Sequence, residues 1–120
     1  MIQKKAAAVG FDWKTAADAL PKVLEEAEEL RREFDFGSNA EEELGDLLFS
    51  CVNVARLAGI NAERALEMAT DKFICRFSEM EKLVELDGKS LEDLTLEQMD
   101  VYWTRVKQRQ TPSVDAKIRD

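Results

Sequence analysis

Glu26 and Glu29 stand three residues apart, and so do Glu43 and Asp46. At that spacing two side chains share one face of a helix. They lie in two acidic runs, Glu25-Glu26-Ala27-Glu28-Glu29 and Glu41-Glu42-Glu43-Leu44-Gly45-Asp46, separated by a short break. If the two runs sit on helices that fold back on each other, four carboxylates converge on one point. Such a group repels itself unless a hard cation sits within it, and all-oxygen ligation suits magnesium, with manganese as a substitute. The chain has no histidine, which removes most zinc and iron chemistry and the Glu-x-x-His ligands of di-iron bundles. Histidine-based hydrolytic triads go with it. Phosphate chemistry at such a site would rely on water activated by the metal.

A solvated helix face is the plainer reading of the first acidic run taken alone. Two features weigh against it. The short break makes the two helices neighbours, and short loops favour antiparallel packing. Glu43 and Asp46 also border the apolar residues Leu44, Leu47 and Leu48, so they cannot point fully away from a core.

The elements that position these groups repeat with helical period, and hardly any segment alternates with period two. A short basic helix, roughly Ile2 to Val9, should stop at Gly10 in a left-handed conformation. Asp18 is a candidate cap for the next helix, with Pro21 in its first turn and an end near Phe34. Its apolar stripe is Leu20, Val23, Leu24, Ala27 and Leu30. Asp35-Phe36-Gly37 breaks the pattern, and Ser38-Asn39-Ala40-Glu41 has the form of a capping box. The helix it opens should bury Leu44, Leu47, Leu48, Cys51, Val52 and Ala55, and end at Gly59. Asn61 caps a long helix from Ala62 to about Leu86, carrying Leu66, Ala69, Phe73, Phe77, Met80 and Leu83 or Val84, and Gly88 stops it. Thr95-Leu96-Glu97-Gln98 is a second capping box, opening a helix with Met99, Tyr102, Trp103 and Val106 that ends at Thr111-Pro112.

The fold class is therefore all-α, a helical bundle: one domain over residues 1–110 and a loose polar tail over 111–120. Three main helices with broad apolar faces leave more hydrophobic surface than 120 residues hide, so a homodimer is expected to complete the core.

The net charge of −8 excludes nucleic-acid binding through clustered cations. An anionic ligand brought in by a metal remains compatible with it. Cys51 and Cys75 fall within amphipathic helical patterns as small apolar residues rather than a disulfide, which with the lack of a signal peptide points to the cytoplasm. No apolar run approaches a membrane span.

Other residues admit two readings each. Lys72 and Arg76, four apart beside Phe73 and Phe77, are surface charges paired with Asp71 and Glu79, or a clamp for phosphate oxygens. Trp103 and Lys107 repeat that spacing, Trp103 as a core residue or a platform for a base. Asn53 lies seven residues beyond Asp46, where it orients a water or sugar hydroxyl or is a satisfied polar group. The five glycines are scattered helix stops, with no phosphate-cradling loop.

Taken together, Lys22-Val23-Leu24-Glu25-Glu26-Ala27-Glu28-Glu29 and Glu42-Glu43-Leu44-Gly45-Asp46-Leu47-Leu48-Phe49 resemble the Glu-Glu-x-x-Glu and Glu-x-x-Asp signature of the all-α nucleoside triphosphate pyrophosphohydrolases. The likeness is to MazG proteins, and to their C-terminal domain in particular. Val9-Gly10-Phe11-Asp12-Trp13, Val52-Asn53-Val54-Ala55-Arg56, Lys72-Phe73 with Arg76-Phe77, and Trp103 with Lys107 extend it over roughly residues 3–108. The resemblance implies magnesium-dependent hydrolysis of ribo- and deoxynucleoside triphosphates to monophosphate and pyrophosphate. It implies Glu26, Glu29, Glu43 and Asp46 as metal ligands, Lys22, Glu25 and Glu42 as neighbouring site positions, and Lys72 and Arg76 on the phosphates. Trp103 and Lys107 match contacts on the nucleotide side. Glu25 and Glu42 are the candidates for taking the proton from the attacking water. Asn39 stands where some relatives carry a lysine, which would weaken phosphate binding without removing the metal site. The chain matches one half of a two-domain MazG, either as a one-domain form or as an excised domain. A narrower enzyme preferring dUTP or dCTP, and a non-catalytic nucleotide-binding dimer, are the alternatives.

Overall fold

A computed structural model describes residues 2–110. The expected tail at 111–120 and the Thr111-Pro112 helix end lie outside them. Among the described residues there are five α-helices and no strand: α1 (Ile2–Ala8), α2 (Ala16–Phe36), α3 (Ala40–Leu57), α4 (Ala62–Leu86) and α5 (Leu96–Gln110), with a 3₁₀ turn at Leu91–Asp93. The chain divides into two compact units, Met1–Ala65 and Leu66–Asp120, with the boundary inside α4.

In the first unit, α2 and α3 form an antiparallel hairpin closed by a three-residue turn, 37–39. Thr15, not Asp18, caps α2: its side chain accepts the Asp18 N–H at 3.1 Å, so the helix begins three residues earlier than the sequence suggested. Pro21 consequently sits in the second turn, where it costs the helix one internal hydrogen bond. The helix also runs two residues further, to Phe36. The Ser38 capping box does not form, because α3 starts at Ala40 with Asn39 as the capping residue and no side-chain cap bond. Gly10 and Gly59 adopt positive φ, +90° and +74°, as helix stops. Asn61 caps α4 by accepting the Arg64 N–H at 3.1 Å.

The facing of this hairpin departs from expectation. Leu20, Leu24 and Ala27 on α2, and Leu44, Leu48, Cys51 and Val52 on α3, are exposed, while Val23, Leu30, Leu47 and Ala55 are half-buried. The buried side chains are Ala19 and Glu26 on α2, and Ser50 and Asn53 on α3. Each helix buries polar groups on its inner side, and much of the apolar stripe read from the sequence lies on the outside. Two further groups tie the unit together. Buried Gln3 donates to the Phe49 carbonyl at 3.0 Å, joining α1 to α3. Arg56 donates to both oxygens of Asp12, at 2.6 and 3.0 Å, and to Asn53 Oδ1 at 2.8 Å.

In the second unit the end of α4 and α5 follow the hydrophobic pattern. Met80, Leu83 and Val84 of α4 pack with Tyr102 and Val106 of α5, and Leu91, Leu94 and Trp103 close around them. The Thr95 box forms reciprocally: Gln98 N–H donates to Thr95 Oγ1 at 3.2 Å, and Thr95 N–H donates to Gln98 Oε1 at 2.9 Å. Tyr102 donates its hydroxyl proton to Asp87 at 2.6 Å, just beyond the end of α4. Leu66, Phe73 and Phe77, expected on the buried face of α4, are exposed, as is Cys75.

Candidate metal centre

The inward edge of the hairpin carries the carboxylates. One oxygen from each of Glu26, Glu29 and Glu43 lies within 4.8 Å of the others. Glu26, only 6% exposed, is the most deeply placed. Lys22, one turn earlier on α2, reaches Glu26 Oε1 at 2.9 Å and Glu25 Oε1 at 3.5 Å. The hydrogen bond to Glu26 is the main reason the Lys22 ammonium is held above its ordinary pKa. One oxygen of Glu26 is thereby engaged and the other is not. Glu26 Oε2 and Glu43 Oε2 are both buried without a hydrogen-bond partner.

Two orphaned carboxylate oxygens in one place are costly, and a native fold rarely tolerates them without a proton or a cation to satisfy them. Burial pushes the Glu43 carboxyl above its usual range, and the charges of Glu29, Asp46, Glu26 and Glu33 push in the same direction. A divalent cation answers the same demand, and the all-oxygen donor set fits a hard one. The residues present therefore fit magnesium.

Asp46 is exposed and stands outside the three-carboxylate group, though near enough for its charge to act on Glu43. Glu25 on α2 and Glu42 on α3, each adjacent in sequence to a member of the group, are exposed. Asn53 is buried, and its oxygen is taken by Arg56. In the second unit Lys72 is exposed on α4, and half-buried Arg76 keeps Nε buried without a partner. Trp103 packs against Phe73, ring centroids 5.3 Å apart, and Lys107 lies exposed one turn further along α5. The sequence reading missed Glu33. Its spacing was a usable signal, since it lies four residues beyond Glu29 and seven beyond Glu26 on the same face.

The family model of the MazG nucleotide pyrophosphohydrolase domain matches residues 14–80, which include every carboxylate of the cluster together with Lys72 and Arg76. The chain belongs to the MazG family. The nucleoside triphosphate pyrophosphohydrolase/pyrophosphatase MazG of Thermotoga maritima is 47% identical over 106 residues, covering 88% of this chain and 41% of that protein. The nucleoside triphosphate pyrophosphohydrolase of Escherichia coli K12 is 42% identical over 113 residues, covering 91% of this chain and 43% of that one. An uncharacterized Bacillus subtilis protein, YabN, shares 44% identity over 75 residues, 62% of this chain and 15% of its own length. The chain thus spans about two fifths of the MazG relatives it matches.

Proposed function

We propose that this chain hydrolyses nucleoside triphosphates, ribo and deoxy, to monophosphate and pyrophosphate with magnesium. The observation that carries the reading is the meeting of Glu26, Glu29 and Glu43, with two buried carboxylate oxygens left unpartnered. A non-catalytic helical pair has no use for that arrangement, and the names of the MazG relatives state the reaction.

Glu26, Glu29, Glu43 and Asp46 would hold the metal. Magnesium there supplies charge neutralisation for the triphosphate and lowers the pKa of a water. The protein's own work is then to orient and to move a proton. Lys22 holds Glu26 by one oxygen and leaves the other, buried, without a partner. Glu25 and Glu42, exposed sequence neighbours of Glu26 and Glu43, would accept the proton of the attacking water. Lys72 and Arg76 would stabilise charge building on the phosphate oxygens, Arg76 with an Nε–H not yet committed. Asn53, its oxygen fixed by Arg56, presents its amide N–H groups and so suits a hydroxyl or water oxygen. Trp103 and Lys107 would serve the nucleotide side.

A homodimer is part of the proposal. Leu24 is 71% exposed and Leu48 58%, and they belong to stripes that recur at helical spacing along α2 and α3. Contiguous apolar faces of this kind are unusual on a monomer, and a second copy covers them. The cytoplasm, where nucleoside triphosphates are plentiful, is the proposed location.

Product analysis tests the reading: purified protein with each common ribo- and deoxynucleoside triphosphate, in Mg²⁺ and in EDTA, resolved by ion exchange. Monophosphate and pyrophosphate appearing only with metal are expected. Diphosphate and orthophosphate would mean cleavage at the other bond. Turnover confined to dUTP or dCTP would narrow the enzyme, and no turnover at all would favour a binding module.

A further inference from the structure

Three contacts converge from Glu33 on the turn between α2 and α3. Its backbone carbonyl accepts the Gly37 N–H at 3.1 Å. Its carboxylate lies over Gly37, where a Cβ would collide with it. Its Oε1 accepts the Asn39 N–H at 2.8 Å. Asn39 is the capping residue of α3 and makes no side-chain cap bond of its own. On its other side, the Asn39 carbonyl accepts the Glu43 N–H at 3.0 Å.

A line of hydrogen bonds therefore runs from Glu33 through the Asn39 backbone to Glu43, a member of the carboxylate group. Glu33 also lies one turn beyond Glu29 on α2, so both ends of the line belong to residues next to or within the cluster. A helix can slide or rotate at its first turn, and here that motion would carry Glu43 away from Glu26 and Glu29. The turn itself lacks the Ser38 box that would otherwise have fixed it. Glycine at 37 leaves room for the carboxylate to cross.

We propose that Glu33 is a positioning residue: by holding the Asn39 N–H it fixes the start of α3 and so sets Glu43 against Glu26 and Glu29. It acts as a hydrogen-bond acceptor of the right length rather than as a ligand. The magnesium consequence rests on the function proposed above, and the backbone consequence does not.

Glu33→Gln retains an acceptor at the same reach, Glu33→Asp retains the charge but withdraws the acceptor, and Glu33→Ala removes both. Two readouts apply to each: amide hydrogen exchange at Asn39 and Glu43 in EDTA, and calorimetric Mg²⁺ affinity of the folded protein. Glu33→Ala and Glu33→Asp should exchange faster at both amides and bind Mg²⁺ about tenfold more weakly, the effect typical of losing an outer-shell partner. Glu33→Gln should stay near the parent in both. A Glu33→Gln variant as weak as Glu33→Ala would overturn the proposal, because charge and not the hydrogen bond would then matter. So would an unchanged Mg²⁺ affinity in Glu33→Ala beside a lowered unfolding midpoint, the mark of a simple helix cap. If the parent protein takes up no Mg²⁺, the metal reading falls, and unchanged exchange at Glu43 in Glu33→Ala would overturn the positioning role separately.

Discussion

The α2–α3 hairpin and the α4–α5 core solve opposite problems with similar sequence. In α4 and α5, Met80, Leu83, Val84, Tyr102 and Val106 go inside, as hydrophobic burial alone would arrange. In the hairpin, Glu26, Ser50 and Asn53 go inside, and Leu20, Leu24, Leu44 and Leu48 stay out. Burial of apolar surface stabilises the first region. The second gives that stabilisation up within one chain and gathers repelling carboxylates instead. The difference is what the proposed function would use: a cation for the inner face of the hairpin and a second copy for the outer one.

The largest expected effect removes the inner face. Glu43→Ala should lower hydrolysis by about a hundredfold or more, since a metal ligand matters at least as much as its outer-shell partners, while circular dichroism keeps its helical signal. Asp46→Ala should do the same, and activity surviving both would dissociate the cluster from catalysis. In the α4–α5 core, Leu83→Ala should cost about 2–5 kcal/mol in denaturant unfolding, whereas Leu24→Ala, on an exposed stripe, should cost far less in the monomer. Leu48→Glu sharpens this contrast: in sedimentation it should shift the protein to a monomer, with loss of activity. A smaller effect follows from Glu43. Its pKa is raised in the folded state, so its contribution to stability is full below the ordinary glutamate pKa and is lost as pH rises through the raised value. Unfolding in EDTA should show this loss in the parent and not in Glu43→Gln, and Mg²⁺ should offset it. The smallest effect is Thr95→Ala, which removes half of the capping box on α5 and should cost about 1 kcal/mol without altering hydrolysis.

Helix number, the stops at Gly10, Gly59 and Gly88, and the caps at Asn61 and Thr95 were legible in the sequence because each is a local signal. The pairing of Glu26 and Glu29 with Glu43 was legible as well, from spacing across a short turn. The facing of α2 and α3 was not. Periodicity shows that a helix has an apolar stripe, but not whether that stripe meets its own chain or another. The cap of α2 went to Thr15 rather than Asp18 because both residue types can cap, and only the preceding extended backbone decides between them. The spacing of Glu33 from Glu26 and Glu29 put it on the carboxylate face, but its contact with the Asn39 backbone N–H in the turn is one no side-chain pattern reveals.

The most direct test compares thermal unfolding of the parent protein and of Glu43→Met, each in EDTA and in Mg²⁺. The expected result is that Mg²⁺ raises the midpoint of the parent and leaves the variant unmoved, and that in EDTA the variant is at least as stable as the parent, having lost a buried, unpartnered carboxylate. A parent indifferent to Mg²⁺, or a variant less stable than it in EDTA, would contradict the view that the hairpin buries its carboxylates for a cation.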